Sequence, residues 1–258
     1  MKEIASRDNP RYKALRGIAA QAGRAGQPAV LEGVHLCQAW LTHRGLPELA
    51  VFDLERQHEP ALAALRQAVP AQACIGLPGR LLAQLESVET SQGVMFVVQP
   101  AAQPLPVRLG DNSVWLDRVQ DPGNVGTLLR TAAAAGIRQV LLSSGCAAAW
   151  SPKVLRSGQG AHFALSLYEQ VDLHEALARL DIPLAVTTLD SAEDLYQAEL
   201  PRDCAWVFGH EGQGVEARLL AHAGLRLRIP HQFDAVESLN VAAAAAVCLF
   251  EQRRRLLA

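Results

Sequence analysis

The 258-residue sequence has little that would tie it to a membrane, a disulfide framework or a metal. Its longest apolar candidate run, Val241 to Phe250, is ten residues, against the roughly 20 that a bilayer-spanning helix needs. The opening stretch MKEIASRDNPRYKALRG has no apolar signal-peptide core. A cytoplasmic protein with no membrane partner is therefore expected. Only five cysteines occur, at 37, 74, 146, 204 and 248, and no two form a CxxC pair. So odd and scattered a set suits reduced thiols rather than disulfides or a zinc site. The eight histidines include no HExxH, and His210-Glu211 has no second histidine at ligand spacing, so no metal is expected. Phosphate-binding signatures are missing too. No GxGxxG with an acidic residue about 20 positions on supports a nucleotide-dependent oxidoreductase on a Rossmann sheet, and no GK[ST] completes a P-loop.

A charge excess is also lacking. Lys and Arg number 24 against 26 Asp and Glu, a net −2, which does not announce nucleic-acid binding. The distribution is less even. Residues 1–30 hold Lys2, Arg7, Arg11, Lys13, Arg16 and Arg24 against Glu3 and Asp8, a local +4, and Arg253-Arg254-Arg255 forms a second cluster. Local basic patches attract phosphate even on a near-neutral chain, although a solvated helix face has the same composition.

What is present is an ordinary globular composition, 50% hydrophobic and 19% charged, with a length that suits one or two domains. The stretch QPAAQPLPVRLGDN, residues 99–112, holds three prolines and reads as a linker. It divides the chain into domains over 1–99 and 113–258, with 100–112 between them. In the first, strands are expected at Ala29–Glu32, Leu49–Asp53, Ala73–Leu77 and Gly93–Gln99, with helices at Val34–His43, Pro60–Ala68 and Gly79–Ser87, after a basic helix in the first thirty residues. In the second, strands are expected at Ser113–Arg118, Gln139–Ser143, Leu184–Leu189, Ala205–Gly209 and Leu225–Ile229. Helices are expected at Val125–Ala135, stopped by Gly136, then at Leu173–Leu180, Glu216–His222, and from a cap at Ser238 to the C-terminus. The fold class is α/β, the second domain a mostly parallel sheet with glycine-rich loops at strand ends, where open α/β sheets bind ligands.

Three of those loops carry polar groups. DRVQDPGNVGTLLRTAAAAG, residues 117–136, delivers Asn124 at a helix start, with Arg130 about two turns further on. WVFGHEGQGV, residues 206–215, runs a strand into three glycines and one carboxylate, Glu211. RIPHQFDAVESLNVAAAAAVCLFE, residues 228–251, sets Ser238 and Asn240 before an Ala-rich helix, whose N-terminus favours ligand oxygens. Each alone also reads as an ordinary βα turn.

In order and spacing these loops resemble the three signature motifs of the SpoU (TrmH-type) branch of the SPOUT methyltransferases. Asn124, Gly126 and Arg130 match the first, Gly209, Glu211 and Gly214 the second, and Ile229-Pro230 with Ser238-Leu239-Asn240 the third. KVLRSGQGAHF, residues 153–163, is similar to the family's linking segment. ASRDNPRYKALR, VLEGVHLCQAW and ETSQGVMFVV are similar to the ribosomal-protein-like domain that precedes the catalytic one in many members. Two features depart from the pattern: His231 stands where Met usually follows Ile-Pro, and the loop Gln232–Val236 is bulkier than usual.

The resemblance implies a SPOUT α/β domain with a C-terminal trefoil knot, an N-terminal RNA-binding α/β domain and a homodimer in which Arg130 reaches the neighbour's site. It implies an S-adenosylmethionine-dependent transfer of methyl to a ribose 2′-hydroxyl of structured RNA, rRNA ahead of tRNA. Cofactor contacts are implied at Leu189, Gly209, Glu211, Gly214, Ile229, Ser238 and Leu239, and catalytic roles at Arg130, Asn124, Glu211, Ser238 and Asn240. Because a guanidinium rarely gives up its proton, Arg130 is assigned first to orienting phosphate and 2′-hydroxyl. Glu211 is assigned to holding Asn124 or Arg130. A non-catalytic RNA-binding protein is the rival reading, opposed by the filling of every motif position.

Overall fold

The computed structural model of the chain describes residues 1–24, 26–88, 90–189 and 192–257. The first elements in chain order are β1 (Lys2–Glu3), α1 (Pro10–Gln21), β2 (Ala29–Glu32), α2 (Val34–His43), β3 (Leu49–Asp53) and α3 (Pro60–Ala68). They are followed by β4 (Cys74–Leu77), α4 (Gly79–Leu82), β5 (Val94–Val98), β6 (Ser113–Asp117), α5 (Pro122–Ala135), β7 (Gln139–Ser143) and α6 (Pro152–Gly158). The remainder are β8 (Ser166–Val171), α7 (Leu173–Leu177), β9 (Leu184–Thr187), β10 (Glu193–Asp194), β11 (Ala205–Gly209), α8 (Ala217–Ala221), β12 (Leu225–Arg228) and α9 (Val241–Leu257). The chain forms two compact units, Met1–Ala101 with Trp150–Phe163, and Ala102–Ala149 with Ala164–Ala258. Among the described residues no helix is long and apolar enough to cross a membrane.

The first unit is a five-stranded mixed sheet in the order β1-β4-β3-β5-β2. Successive residues of its strands feed alternate faces, as the two-residue period of a strand requires. Leu31, Phe52 and Phe96 join a core with Leu36, Trp40 and Leu62 of α2 and α3. Val30, Val51, Met95 and Val97 join a second core with Tyr12 and Leu15 of α1 and Leu81 and Leu82 of α4. Helix α6 belongs here: Leu155 is buried in the first of these cores, and Trp150 meets Trp40 edge-on with centroids 6.3 Å apart. A Cβ on Gly23 would lie 2.2 Å from the Trp150 carbonyl oxygen, so only glycine allows that approach.

The second unit is a seven-stranded sheet, β10-β12-β9-β11-β6-β7-β8, whose neighbours are all parallel. Its central strands SVWLD and AWVFG are buried throughout, the near-continuous apolar run that a sheet covered on both faces demands. Trp115, Leu141, Val186 and Val207 pack with Leu173, Ala176 and Leu219 on one face. Towards the other, α9 packs on β11 and α5, and the Trp206 indole N–H donates to Gln252 Oε1 at 2.8 Å.

Three helix starts differ from expectation, that of α8 only by one residue, Ala217 in place of Glu216. Helix α5 begins at Pro122, not Val125, because Asp121 accepts the Asn124 N–H at 2.9 Å and proline suits the first helical position. Helix α9 begins at Val241, capped by Asn240 and not by Ser238: Asn240 Oδ1 accepts the N–H groups of Ala242 (2.9 Å) and Ala243 (3.2 Å). Asparagine caps as well as serine, and this start leaves Ser238 on the loop.

Candidate active site

In an open parallel sheet the ligand crevice lies beyond the carboxyl ends of the strands. Here β6 and β11 end side by side, Asp117 paired with Gly209. The loop leaving β11 closes on itself. The His210 N–H donates to Gly214 O at 3.1 Å and the Gly214 N–H to His210 O at 2.8 Å, while His210 Nδ1 accepts from the N–H groups of Gly212 and Gln213. A Cβ on Gly209 would stand 2.2 Å from the Gly214 carbonyl carbon, so this closure requires glycine there.

The loop carries Glu211 to the segment that follows β6. Glu211 Oε1 accepts from the Asp121 N–H (3.0 Å) and from the Asn124 side-chain amide (3.0 Å), and Oε2 from the Gln120 N–H (3.2 Å). Burial opposes its charge, but these donors outweigh burial and hold its carboxyl below the usual carboxylate range. Because Glu211 only accepts, the Asn124 amide turns its nitrogen there and its oxygen to Asn240, whose Nδ2 donates at 3.0 Å. With Asn240 capping α9, one hydrogen-bonded chain, Glu211–Asn124–Asn240, ties the three loops singled out in the sequence.

Beside this chain lies a cleft of about 670 Å³, within the range of small-molecule sites, roughly 300–1,000 Å³. Leu189, Gly209, Glu211, Gly214, Ser238, Leu239 and Asn240 line it. Ile229 lines a smaller pocket of about 130 Å³ that shares Leu189, Ser238 and Leu239 with the cleft and has His231 in its wall. Arg130 stands apart from the lining of both. It is exposed on α5 with no hydrogen-bond or ion-pair partner among the described residues, six residues past Asn124 and thus about 120° around the helix. Reasoning from sequence missed Thr187 and Thr188, which line the cleft where β9 ends, a position that the strand-end rule could have flagged. It also missed Asp117 and Arg118. Arg118 has φ 55°, the left-handed region, a geometry without an evident sequence signal.

Residues 111–250 match the SpoU rRNA Methylase family. The chain belongs to that family. An uncharacterized tRNA/rRNA methyltransferase of Synechocystis sp. is 34% identical over 98% of this chain and 93% of its own length. The 23S rRNA (guanosine(2553)-2′-O)-methyltransferase RlmP of Bacillus subtilis is 30% identical over 98% of this chain and 100% of its own. The crystal structure of an AdoMet-bound rRNA methyltransferase from Sinorhizobium meliloti superposes with a TM-score of 0.85 at 26% identity, covering 100% of this chain and 99% of that one. The matched residues 111–250 of this SpoU-family chain hold all three loops that Glu211, Asn124 and Asn240 tie together.

Proposed function

We propose that this SpoU-family protein transfers methyl from S-adenosylmethionine to a ribose 2′-hydroxyl of structured RNA in the cytoplasm, rRNA ahead of tRNA. The Glu211–Asn124–Asn240 chain carries this reading, because it assembles the motif loops around one cleft. The residues present fit the cofactor. The smaller pocket is walled by Ile229, Leu239 and Leu189, which suits an apolar ring. His231 Nδ1 lies 2.9 Å from the Ile229 carbonyl and so carries the proton, which leaves Nε2 a buried acceptor without a partner among the described residues. The glycine loop and Ser238 offer polar groups to the rest of the ligand. When bound, the cofactor supplies a methyl on a sulfonium, already electrophilic.

The protein's share is positioning and proton handling. Glu211 is spent on three donors and held below the usual carboxylate range, so it builds the site and is a poor base. Ser238 lines the cleft, where its hydroxyl can hydrogen-bond substrate or cofactor. Arg130, outside its own cleft, completes the cleft of a second copy, where its planar fork grips phosphate and orients the 2′-hydroxyl. The homodimer uses the α5 and α9 surface, where Ala243 and Phe250 are exposed and Ala246 and Val247 half-buried. Ala243→Arg should convert a dimer to a monomer by sedimentation and remove methyl transfer; a wild-type monomer at micromolar concentration contradicts the arrangement. The C-terminal segment forms a trefoil knot, a reading supported by α9 returning to α5 although β12 lies beyond β9 from β11. Residues 1–99 bind the RNA, supported by exposed Arg7, Arg11, Lys13 and Arg16.

The test is transfer of labelled methyl from S-adenosylmethionine to RNA from cells lacking the protein, with mapping of 2′-O-methyl positions. New 2′-O-methyl in rRNA is expected. Binding of NAD and not S-adenosylmethionine in calorimetry overturns the reading.

A further inference from the structure

The cleft loop is glycine-rich, so something outside it must fix its position. Glu211 holds one side. The other side is held by an arrangement that the motif chemistry does not use. Arg118 follows β6 directly with a left-handed φ of 55°, which a residue with a β-carbon adopts only under constraint. Three contacts supply that constraint. The Arg118 N–H donates to Ser143 Oγ at 2.9 Å. Its Nε and Nη2 donate to the two carboxylate oxygens of buried Asp117 at 2.9 and 3.0 Å. Its Nη1 donates to Gln213 Oε1 at 3.0 Å. Asp117 Oδ2 also accepts the Glu216 N–H at 2.8 Å, just where the loop ends. One carboxylate thus fixes the guanidinium and the loop's exit, and the guanidinium fixes the loop's tip.

We propose that Arg118 is a positioning residue: clamped by Asp117, it holds Gln213 and thereby sets the cleft loop in its ligand-ready form. This rests on the reading of the cleft as the S-adenosylmethionine site. An arginine serves where a lysine would not, since only a planar fork spends two N–H groups on Asp117 and keeps a third for Gln213. Breaking the Arg118–Gln213 hydrogen bond frees the tip, and affinity falls by the fraction of time the loop is misplaced.

The experiment is a double-mutant cycle on the full chain with Arg118→Lys and Gln213→Ala. It is read by calorimetry with S-adenosylmethionine and by hydrogen exchange of amides 210–214 without ligand. Gln213 is exposed and its replacement leaves the Asp117–Arg118 pair intact, so that variant should fold normally. Each single variant should weaken binding about tenfold and speed exchange of the loop amides, and Arg118→Lys, which lies outside the cleft lining, should leave the single-turnover rate at saturating cofactor nearly unchanged; the double variant should also bind about tenfold more weakly, because both changes break the same hydrogen bond. A double variant near the hundredfold product would mean that Gln213 acts on the ligand independently, and overturns the proposal. So do unchanged affinity and exchange in Gln213→Ala. If wild type binds no S-adenosylmethionine, the reading of the cleft fails, while the exchange rates in the ligand-free protein still decide whether Arg118 holds the loop.

Discussion

At the residue scale, the proposed function divides the work of the site between Glu211 and Arg130, and their surroundings say how. Glu211 is satisfied on both oxygens, so its value lies in accepting. A carboxyl held below its ordinary range contributes stability that is fully present above the unfolded value, about 4.3 for Glu, and is lost only as pH falls through the lowered folded value. Cofactor affinity should therefore show no carboxylate-type decline between about pH 5 and 8; a decline there would contradict the hydrogen-bonded state of Glu211. Glu211→Gln puts an amide nitrogen against N–H donors, and methyl transfer should drop about tenfold or more. Arg130 has its guanidinium unpartnered among the described residues. Arg130→Ala should cost about 10² in single-turnover transfer while sparing cofactor affinity and folding, and Arg130→Lys should fail nearly as badly. Near-normal transfer by Arg130→Ala would remove it from the site. Residue types at motif spacing made Asn124, Glu211 and Asn240 legible as a group. That Glu211 takes Asn124 and leaves Arg130 aside was open in the sequence, because helical phase alone does not say which neighbour a loop meets.

At the scale of elements, four strands were legible to the residue. β2, β3, β7 and β11 have the bounds that their sequences suggest. β8 (SLYEQV) was not, for its burial is partial and its pairing with β7 is broken by a bulge near Gln170, itself at φ 56°. A bulge erases the two-residue alternation on which strand reading depends. The start of α9 was misplaced because serine and asparagine cap equally well and stand two apart. The structure separates their roles, and so should substitution. Asn240→Ala removes the acceptor of two helix N–H groups and should destabilise the protein by about 1 kcal/mol. Ser238→Ala should leave the unfolding midpoint within error and weaken ligand binding. If Ser238→Ala were the more destabilising in urea titrations, the helix would start where the sequence first suggested.

At the scale of the whole molecule, unit 1 is made of two segments, Met1–Ala101 and Trp150–Phe163, and nothing in the sequence marked the second. The reason is physical: α6 is short, and Leu155, Trp150 and Phe163 look like the core of whichever unit they join. The return has a consequence for dissection. Deleting residues 1–100 strips Trp40, Leu31 and Phe96 from around Leu155 and its neighbours, so the plain truncation should expose an apolar patch and aggregate. A truncation that also carries Trp150→Gln, Leu155→Gln and Phe163→Gln should stay soluble. It should bind S-adenosylmethionine as the full chain does, since Asn124, Glu211 and Asn240 all lie in the second unit. Its RNA affinity should fall, because Arg7, Arg11, Lys13 and Arg16 are gone. The salt dependence should flatten as well, by about 0.9 in log–log slope for each phosphate that is no longer neutralised. Affinity and slope equal to those of the full chain would show that the basic N-terminal segment is only a solvated face, and would move RNA recognition to the second unit.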